Sequence, residues 1–400
     1  MLVETWGLGA DHIVFLGIFT TDGPAWSHSR EMLRPNFVKA QVGDLESFER
    51  HVSELIDLVP KDGSTVDLSP LFFRLTLDSA TEFLLGEGTN SLVSNGNDGF
   101  GKAMDDAQAW IASMSFWKIA SKYFPFTTAD RKLFKQNCDS VHAFVDGYVE
   151  KALAKREQLL ESKDAKGRYT FIDELVRQTD DRVRIRSEIL NILLAGRDTT
   201  ASLLTNVWWI LSKRPDIWTK LQAEVATLQG AKPDLAQLKD LKYVRALVNE
   251  SLRLHPVVPG NAREALEDTK LPLGGGPDGK SPLFVPAGQI VAWPSYTMHR
   301  RPEFYGEDAQ EFKPERWLDD PVTGKKGLRP GWEYLPFNGG ARICLGQQYA
   351  LTEASYVCVR LCQAFSGIES RDENKEWTEG LSITCVNQSG AKVALTARER

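Results

Sequence analysis

A ten-residue run near the C-terminus, Phe337-Asn-Gly-Gly-Ala-Arg-Ile-Cys-Leu-Gly346, gathers one cysteine, one arginine and three glycines at a single point of the chain. The stretch after it, Leu345 to Phe365, has apolar residues three and four apart, which predicts a helix with Cys344 near its start. A helix N-terminus and the neighbouring Arg342 both favour a thiolate over a thiol. Gly339, Gly340 and Gly346 are expected to let the backbone pass close to a flat ligand and to take positive φ values, which cost more for a residue with a Cβ. Phe337 would wall the sulfur from water. An inert buried cysteine would need neither the arginine nor the glycines. The run therefore reads as a loop presenting a thiolate to haem iron, and the rest of the chain must fold so as to seat a large planar group against it.

Four hundred residues, 42% of them hydrophobic, can bury a large core, and one domain over residues 1–400 accommodates them. Forty-eight basic and 54 acidic residues give a net charge of -6, and no basic run is interleaved with aromatics, so nucleic acid is excluded as a partner. Five cysteines without a CxxC pair argue against a disulfide framework and for a reducing compartment. Cys358 and Cys362, one helical turn apart with no histidine pair nearby, read as core residues. The longest apolar stretches, Ile189 to Ala195 and Leu203 to Leu211, are too short and interrupted to span a bilayer, and the chain opens without a signal-peptide pattern. The sequons at Asn249 and Asn387 read as coincidence.

From Pro24 to about Glu224 the apolar spacing is helical, broken by turn-rich segments at Lys61-Asp-Gly-Ser and Ser94-Asn-Gly-Asn-Asp-Gly. Between Val257 and Trp293 short β-branched runs with Pro and Gly predict strands: Leu271-Pro-Leu, Leu283-Phe-Val and Gln289-Ile-Val. Gly274-Gly-Gly276 has no helix after it, so it reads as a plain turn rather than a phosphate loop. Leu381 to Leu395 alternates like a closing hairpin. The expected class is mainly α with small β-sheets.

The longest helix is predicted from about Arg184 to Lys213, and Ala195-Gly-Arg-Asp-Thr-Thr200 interrupts its apolar pattern. That island is locally unfavourable: a mid-helix glycine costs roughly 1 kcal/mol relative to alanine, and a buried carboxylate adds desolvation. Such conflicts mark functional sites. Ala195 and Gly196 would leave a groove for dioxygen, the Thr199 hydroxyl would offer it a hydrogen bond, and Asp198 would relay protons from solvent. A kinked helix whose threonine bonds the preceding turn is the structural alternative. Glu250 and Arg253 share a helix face, and so do Trp26 and Arg30 on a helix begun by Pro24. The second pair puts an aromatic donor and a guanidinium side by side, as haem propionates require.

The spacing Phe337, Gly340, Arg342, Cys344, Gly346 resembles the haem-binding signature of the cytochrome P450 superfamily. Ala195–Thr200 looks like that family's oxygen-activating helix, and an arginine before the acid is similar to the fungal alkane- and fatty-acid-hydroxylating branch. Glu250 and Arg253, with Arg316 in Phe312-Lys-Pro-Glu-Arg-Trp317, resemble its buried Glu-Arg-Arg cluster. By the same resemblance Arg263 and His299 join Trp26, Arg30 and Arg342 as contacts to haem. The opening loop through Phe19, the stretch Trp110 to Phe126, the turn Pro256 to Pro259 and the hairpin near Leu381 to Thr384 would face the substrate.

The likeness covers essentially the whole chain and implies a P450 fold lacking the N-terminal membrane anchor, the hinge and the first helices and strands. It implies haem b with axial Cys344, O2, and hydroxylation of a hydrophobic substrate, favoured as a fatty acid or alkane attacked at or near its end. No flavin or nicotinamide motif is present, so NADPH would act through a separate cytochrome P450 reductase. The full-length parent would sit on the cytosolic face of the endoplasmic reticulum membrane. Three alternatives stand beside this: secondary-metabolite oxidation by the same chemistry; peroxide rearrangement, against which the acid-threonine pair argues; and an inactive haem-binding fragment.

Overall fold

A computed structural model describes residues 17–37, 44–94, 99–117, 128–161 and 170–398. Its helices of eight residues or more are α1 (Gly23–Leu33), α2 (Leu45–Leu58), α3 (Leu68–Leu85), α4 (Phe100–Trp117), α5 (Thr128–Ala154), α6 (Phe171–Gln178), α7 (Arg182–Lys213), α8 (Pro215–Val225), α9 (Lys242–Leu254) and α10 (Gln347–Ala364). The longest, α7, starts where the Asp181 carboxylate accepts from the amides of Val183 and Arg184, satisfying donors that the first turn leaves free. Its 32 residues span about 48 Å. Burial runs almost all round α7, the mark of a central helix.

Two apolar clusters meet along α7. Ile185 to Leu193 pack with α1, α4, α5 and α6 in one. Ala201 to Leu211 pack with α2, α8, α9 and α10 in the other. The polar island Ala195–Thr200 falls at their junction, where neither cluster closes over the helix.

Among the described residues, four small antiparallel sheets complete the fold. Strands β1 (Asp62–Asp67), β9 (Lys392–Ala397) and β6 (Phe365–Ser370) form one in the order β1-β9-β6. Strand β2 (Asn261–Glu264) pairs with β5 (Ile290–Trp293), β3 (Thr269–Gly275) with β4 (Ser281–Val285), and β7 (Glu379–Leu381) with β8 (Cys385–Asn387). Gly274 to Gly276 lie where β3 turns toward β4, as expected of a plain turn.

Two expectations are corrected here. The segment after Lys61 is a strand as well as a turn, because Asp62–Asp67 pairs with residues more than 300 positions downstream that no local pattern reveals. The closing hairpin ends at Asn387, and Lys392–Ala397 leaves it to bury Val393 and Leu395 between β1 and β6. The Ser94–Gly99 turn falls partly, at 95–98, outside the described residues.

Behind the cysteine loop lies a buried charge network. Arg253 donates to both Glu250 oxygens at 2.8 Å, and both side chains are fully buried. The remaining Arg253 donors reach the carbonyls of His299, Ala309 and Glu311. Glu250 also accepts from the Lys313 amide, the Trp317 indole and, at 3.4 Å, Arg316. Every charge has several partners, the condition under which a buried network holds its surroundings in one arrangement.

Candidate active site

A cavity of about 1440 Å³, counting its open mouth, lies between the middle of α7 and the loop before α10. The loop makes a tight 3-10 turn over Gly340–Arg342, closed by Ile343 N–H to the Gly340 carbonyl and Cys344 N–H to the Phe337 carbonyl. Of the three glycines, Gly340 has a positive φ (+69°), and Asn338 supplies a second left-handed residue at +58°. Gly339 is extended, and its need is steric: a Cβ there would lie 2.5 Å from the Trp332 ring. Gly346, at φ -84°, caps α10 instead of taking a positive φ.

Cys344 faces the cavity, flanked by Phe337 and Leu345. Cys344 is exposed to the open cavity, yet the protein packed around the sulfur desolvates it and pushes its thiol above the usual range, while the amides of Gly346 and Gln347 and the charge of Arg30 pull it down. The arginine expected to act on the sulfur, Arg342, is otherwise engaged. It pairs with Asp22 at 2.6 Å, donates to the Thr21 carbonyl and lies over the Trp26 ring, 4.5 Å from its centroid. Arg30, with its guanidinium 5.8 Å from the same ring, donates to the Ile343 carbonyl at 3.0 Å.

Trp26, Arg30, Arg263 and Arg342 all line the cavity. Arg263 projects from β2, braced by Asn261 and lying over Trp293. Burial lowers the pKa of all three guanidinium groups, and repulsion from Arg342 adds to this at Arg30 and Arg263. Three crowded arginines with Asp22 beside them make an electropositive wall that suits a ligand carrying two carboxylates on one edge. A wide cavity, a thiol in its wall and this cationic patch together fit haem.

His299 does not join that wall, which corrects the expectation drawn for it. Its ring is fully buried against Tyr334, its Nε2 accepts from the Leu335 amide at 2.9 Å, and burial pushes its pKa down to about 4. It braces the loop leading to Cys344.

On the opposite wall Ala195, Gly196, Thr199 and Thr200 line the cavity. The Thr199 hydroxyl donates to the Ala195 carbonyl at 2.6 Å, returning to the preceding turn. Asp198 lies behind the wall, with burial pushing its pKa up to about 6 while Arg197 opposes the shift. Val257 and Val258, from the expected substrate turn, line the cavity, as does Phe19. The Leu381–Thr384 turn lies outside it: Leu381 is exposed, and the Thr384 hydroxyl pairs with Ser202. Residues 118–126 of the aromatic stretch lie outside the described residues.

Several residues near the cavity carried no sequence signal. Phe83, Thr200 and Tyr349 line it. Glu353 is buried beside Ser79, to which it is hydrogen-bonded, and burial pushes its carboxyl up to about 7. Its position nine residues after Cys344, on the face of α10 turned toward α3, was the one available cue.

Residues 15–393 match the family model for cytochrome P450. Cytochrome P450 monooxygenase himC of Aspergillus japonicus is 47% identical over 95% of this chain and 67% of its own length. Cytochrome P450 monooxygenase fsdH of Fusarium heterosporum is 44% identical over 95% of this chain and 67% of its length. Cytochrome P450 52A12 of Debaryomyces hansenii is 44% identical over 97% of this chain and 78% of its length. With a cysteine in the wall of a large cavity and agreement along nearly its whole length, the chain belongs to the cytochrome P450 family of monooxygenases.

Proposed function

We propose that this monooxygenase hydroxylates a long aliphatic chain, a fatty acid or alkane, at or near its end. The observation that carries the proposal is the wall around Ala195 and Gly196: Ile192, Val257, Val258, Phe83 and Leu84 surround it, and apolar area dominates the cavity. A long apolar chain gains most from such a surface. Arg197 before Asp198 adds the motif similarity to the alkane- and fatty-acid-hydroxylating branch.

Haem b, bound there, supplies dioxygen activation and C–H oxidation. The chain's own residues do the rest. Cys344 ligates the iron, and Trp26, Arg30, Arg263 and Arg342 orient the propionate edge. Phe337 keeps water from the sulfur, and the apolar wall holds the chain near Thr199. Asp198 holds a proton that Thr199 passes into the cavity.

Electrons are supplied by NADPH through a separate reductase, and the enzyme works on the cytosolic face of the endoplasmic reticulum. No described helix is itself long and apolar enough to cross a membrane.

The test begins with the carbon monoxide difference spectrum of the reduced protein, in which a thiolate-type Soret band is expected; its absence defeats haem-thiolate chemistry in this chain. Products are then identified with fatty acids, alkanes and polycyclic substrates in the presence of an NADPH-dependent reductase. Terminal or near-terminal alcohols are expected. Turnover of polycyclic compounds alone would assign the chain to secondary-metabolite oxidation, and binding without turnover to a haem-binding fragment.

A further inference from the structure

Arg197 and Asp198 are nearly inaccessible, with side chains 4% and 5% exposed, whereas Asp105 on α4 is 57% exposed. One nitrogen of Arg197, Nη1, serves both acids: it lies 2.5 Å from Asp105 Oδ1 and 3.1 Å from Asp198 Oδ1. The shorter contact goes to the acid in water. The Phe73 ring covers the guanidinium at 5.3 Å, and Arg197 Nε is buried with no hydrogen-bond partner, so among the described residues the two carboxylates set how the fork is turned. Removing one of them frees the guanidinium for the other.

We infer that Asp105 is a positioning residue for Asp198: by competing for the Arg197 guanidinium it keeps the buried carboxyl able to take up and release a proton, and it marks where that proton enters from solvent. The inference rests on the proton role given to Asp198 above. The step is a plain proton transfer: hydronium on the Asp105 side gives a proton to the Asp198 carboxylate and is left as water, and Asp198 gives the proton on toward Thr199 and is left ionised again.

The electrostatics around Asp198 agree. Burial raises its pKa and Asp105, a like charge, adds to the rise; Arg197 from α7 and the Gln108 amide from α4 oppose it. Without Asp105, Arg197 would turn wholly to Asp198, the repulsion would vanish, and the protonated fraction of Asp198 near neutral pH would shrink further.

The experiment uses the full chain with haem and reductase and compares wild type with Asp105→Asn, Asp105→Glu and Asp198→Asn, the carbon monoxide spectrum reporting integrity. The protonated-carboxyl infrared band, assigned by its loss in Asp198→Asn, is followed against pH without turnover. Asp105→Asn is expected to move its midpoint down by about one pH unit, leaving about tenfold less protonated Asp198 at pH 7. The pH profile of NADPH-supported product formation moves with it, and Asp105→Glu restores both. An unmoved infrared midpoint overturns the inference, as does a profile in which only KM changes. If Asp198→Asn turns over like wild type, the proton role of Asp198 falls, while the infrared titration still decides whether Asp105 governs its charge. Should Asp105→Asn fail to fold, Asp105→Ser carries the same test.

Discussion

Arg30 Nη1 donates to the carbonyl of Ile343 at 3.0 Å, tying α1 across 313 positions to the residue before Cys344. This contact places a positive charge beside the sulfur while Arg342 is held by Asp22. Replacing Arg30 by alanine is expected to weaken haem retention about tenfold, the low end for a charge-assisted hydrogen bond because the side chain is partly exposed. Haem-transfer kinetics measure the loss. If Arg342→Ala reduces the thiolate-type Soret band more than Arg30→Ala does, the cation acting on the sulfur has been misassigned.

Glu250 and Arg253 form a pair with no exposure and no spare donors. Removing either partner leaves a buried charge uncompensated, so Arg253→Ala and Glu250→Ala should each cost about 3–5 kcal/mol. Urea denaturation is the measure. A loss below about 1 kcal/mol would mean that solvent reaches the remaining partner.

Glu353 ties stability to pH. Its folded-state pKa, raised to about 7 from 4.5, means that the folded state binds its proton more tightly than the unfolded chain. Its contribution is therefore complete below pH 4.5 and is lost as pH rises through 7, by about 3 kcal/mol if unrelieved. Glu353→Gln should flatten this part of the stability profile and raise the melting temperature at pH 8 relative to wild type. Parallel wild-type and variant curves from pH 4.5 to 8 would show that the carboxyl is solvated.

His299 serves as a test of brace against ligand contact. His299→Ala strands the Leu335 amide, which should cost about 1–3 kcal/mol. The Soret position of the folded variant should match wild type, because the ring lies off the cavity wall. A lowered haem affinity in a variant of unchanged stability would restore the direct contact.

The residues proposed to carry chemistry announced themselves where they break a local rule. Cys344 among glycines and Asp198 within an apolar helix are unfavourable choices for an element that only had to fold, so their spacing alone directed attention to them. The long helix was legible for a different reason: apolar periodicity resumes in phase on both sides of the polar island, over thirty-odd residues in all. The Glu250–Arg253 face was legible too, since both members sit one turn apart on one helix.

What no spacing encodes is which distant groups compete for one partner. That Arg342 would be drawn to Asp22 and leave the sulfur to Arg30, that His299 would spend its ring on a backbone amide, and that Asp105 would reach Arg197 depend on helices packed from opposite ends of the chain. The same holds for β1 and β9, whose pairing is set by long-range closure rather than by strand propensity. The sequence by itself determined the cysteine-bearing loop, the central helix and the family. Tertiary packing decided the partner of each charge, because burial fixes distances of a few ångströms and electrostatic preference follows distance.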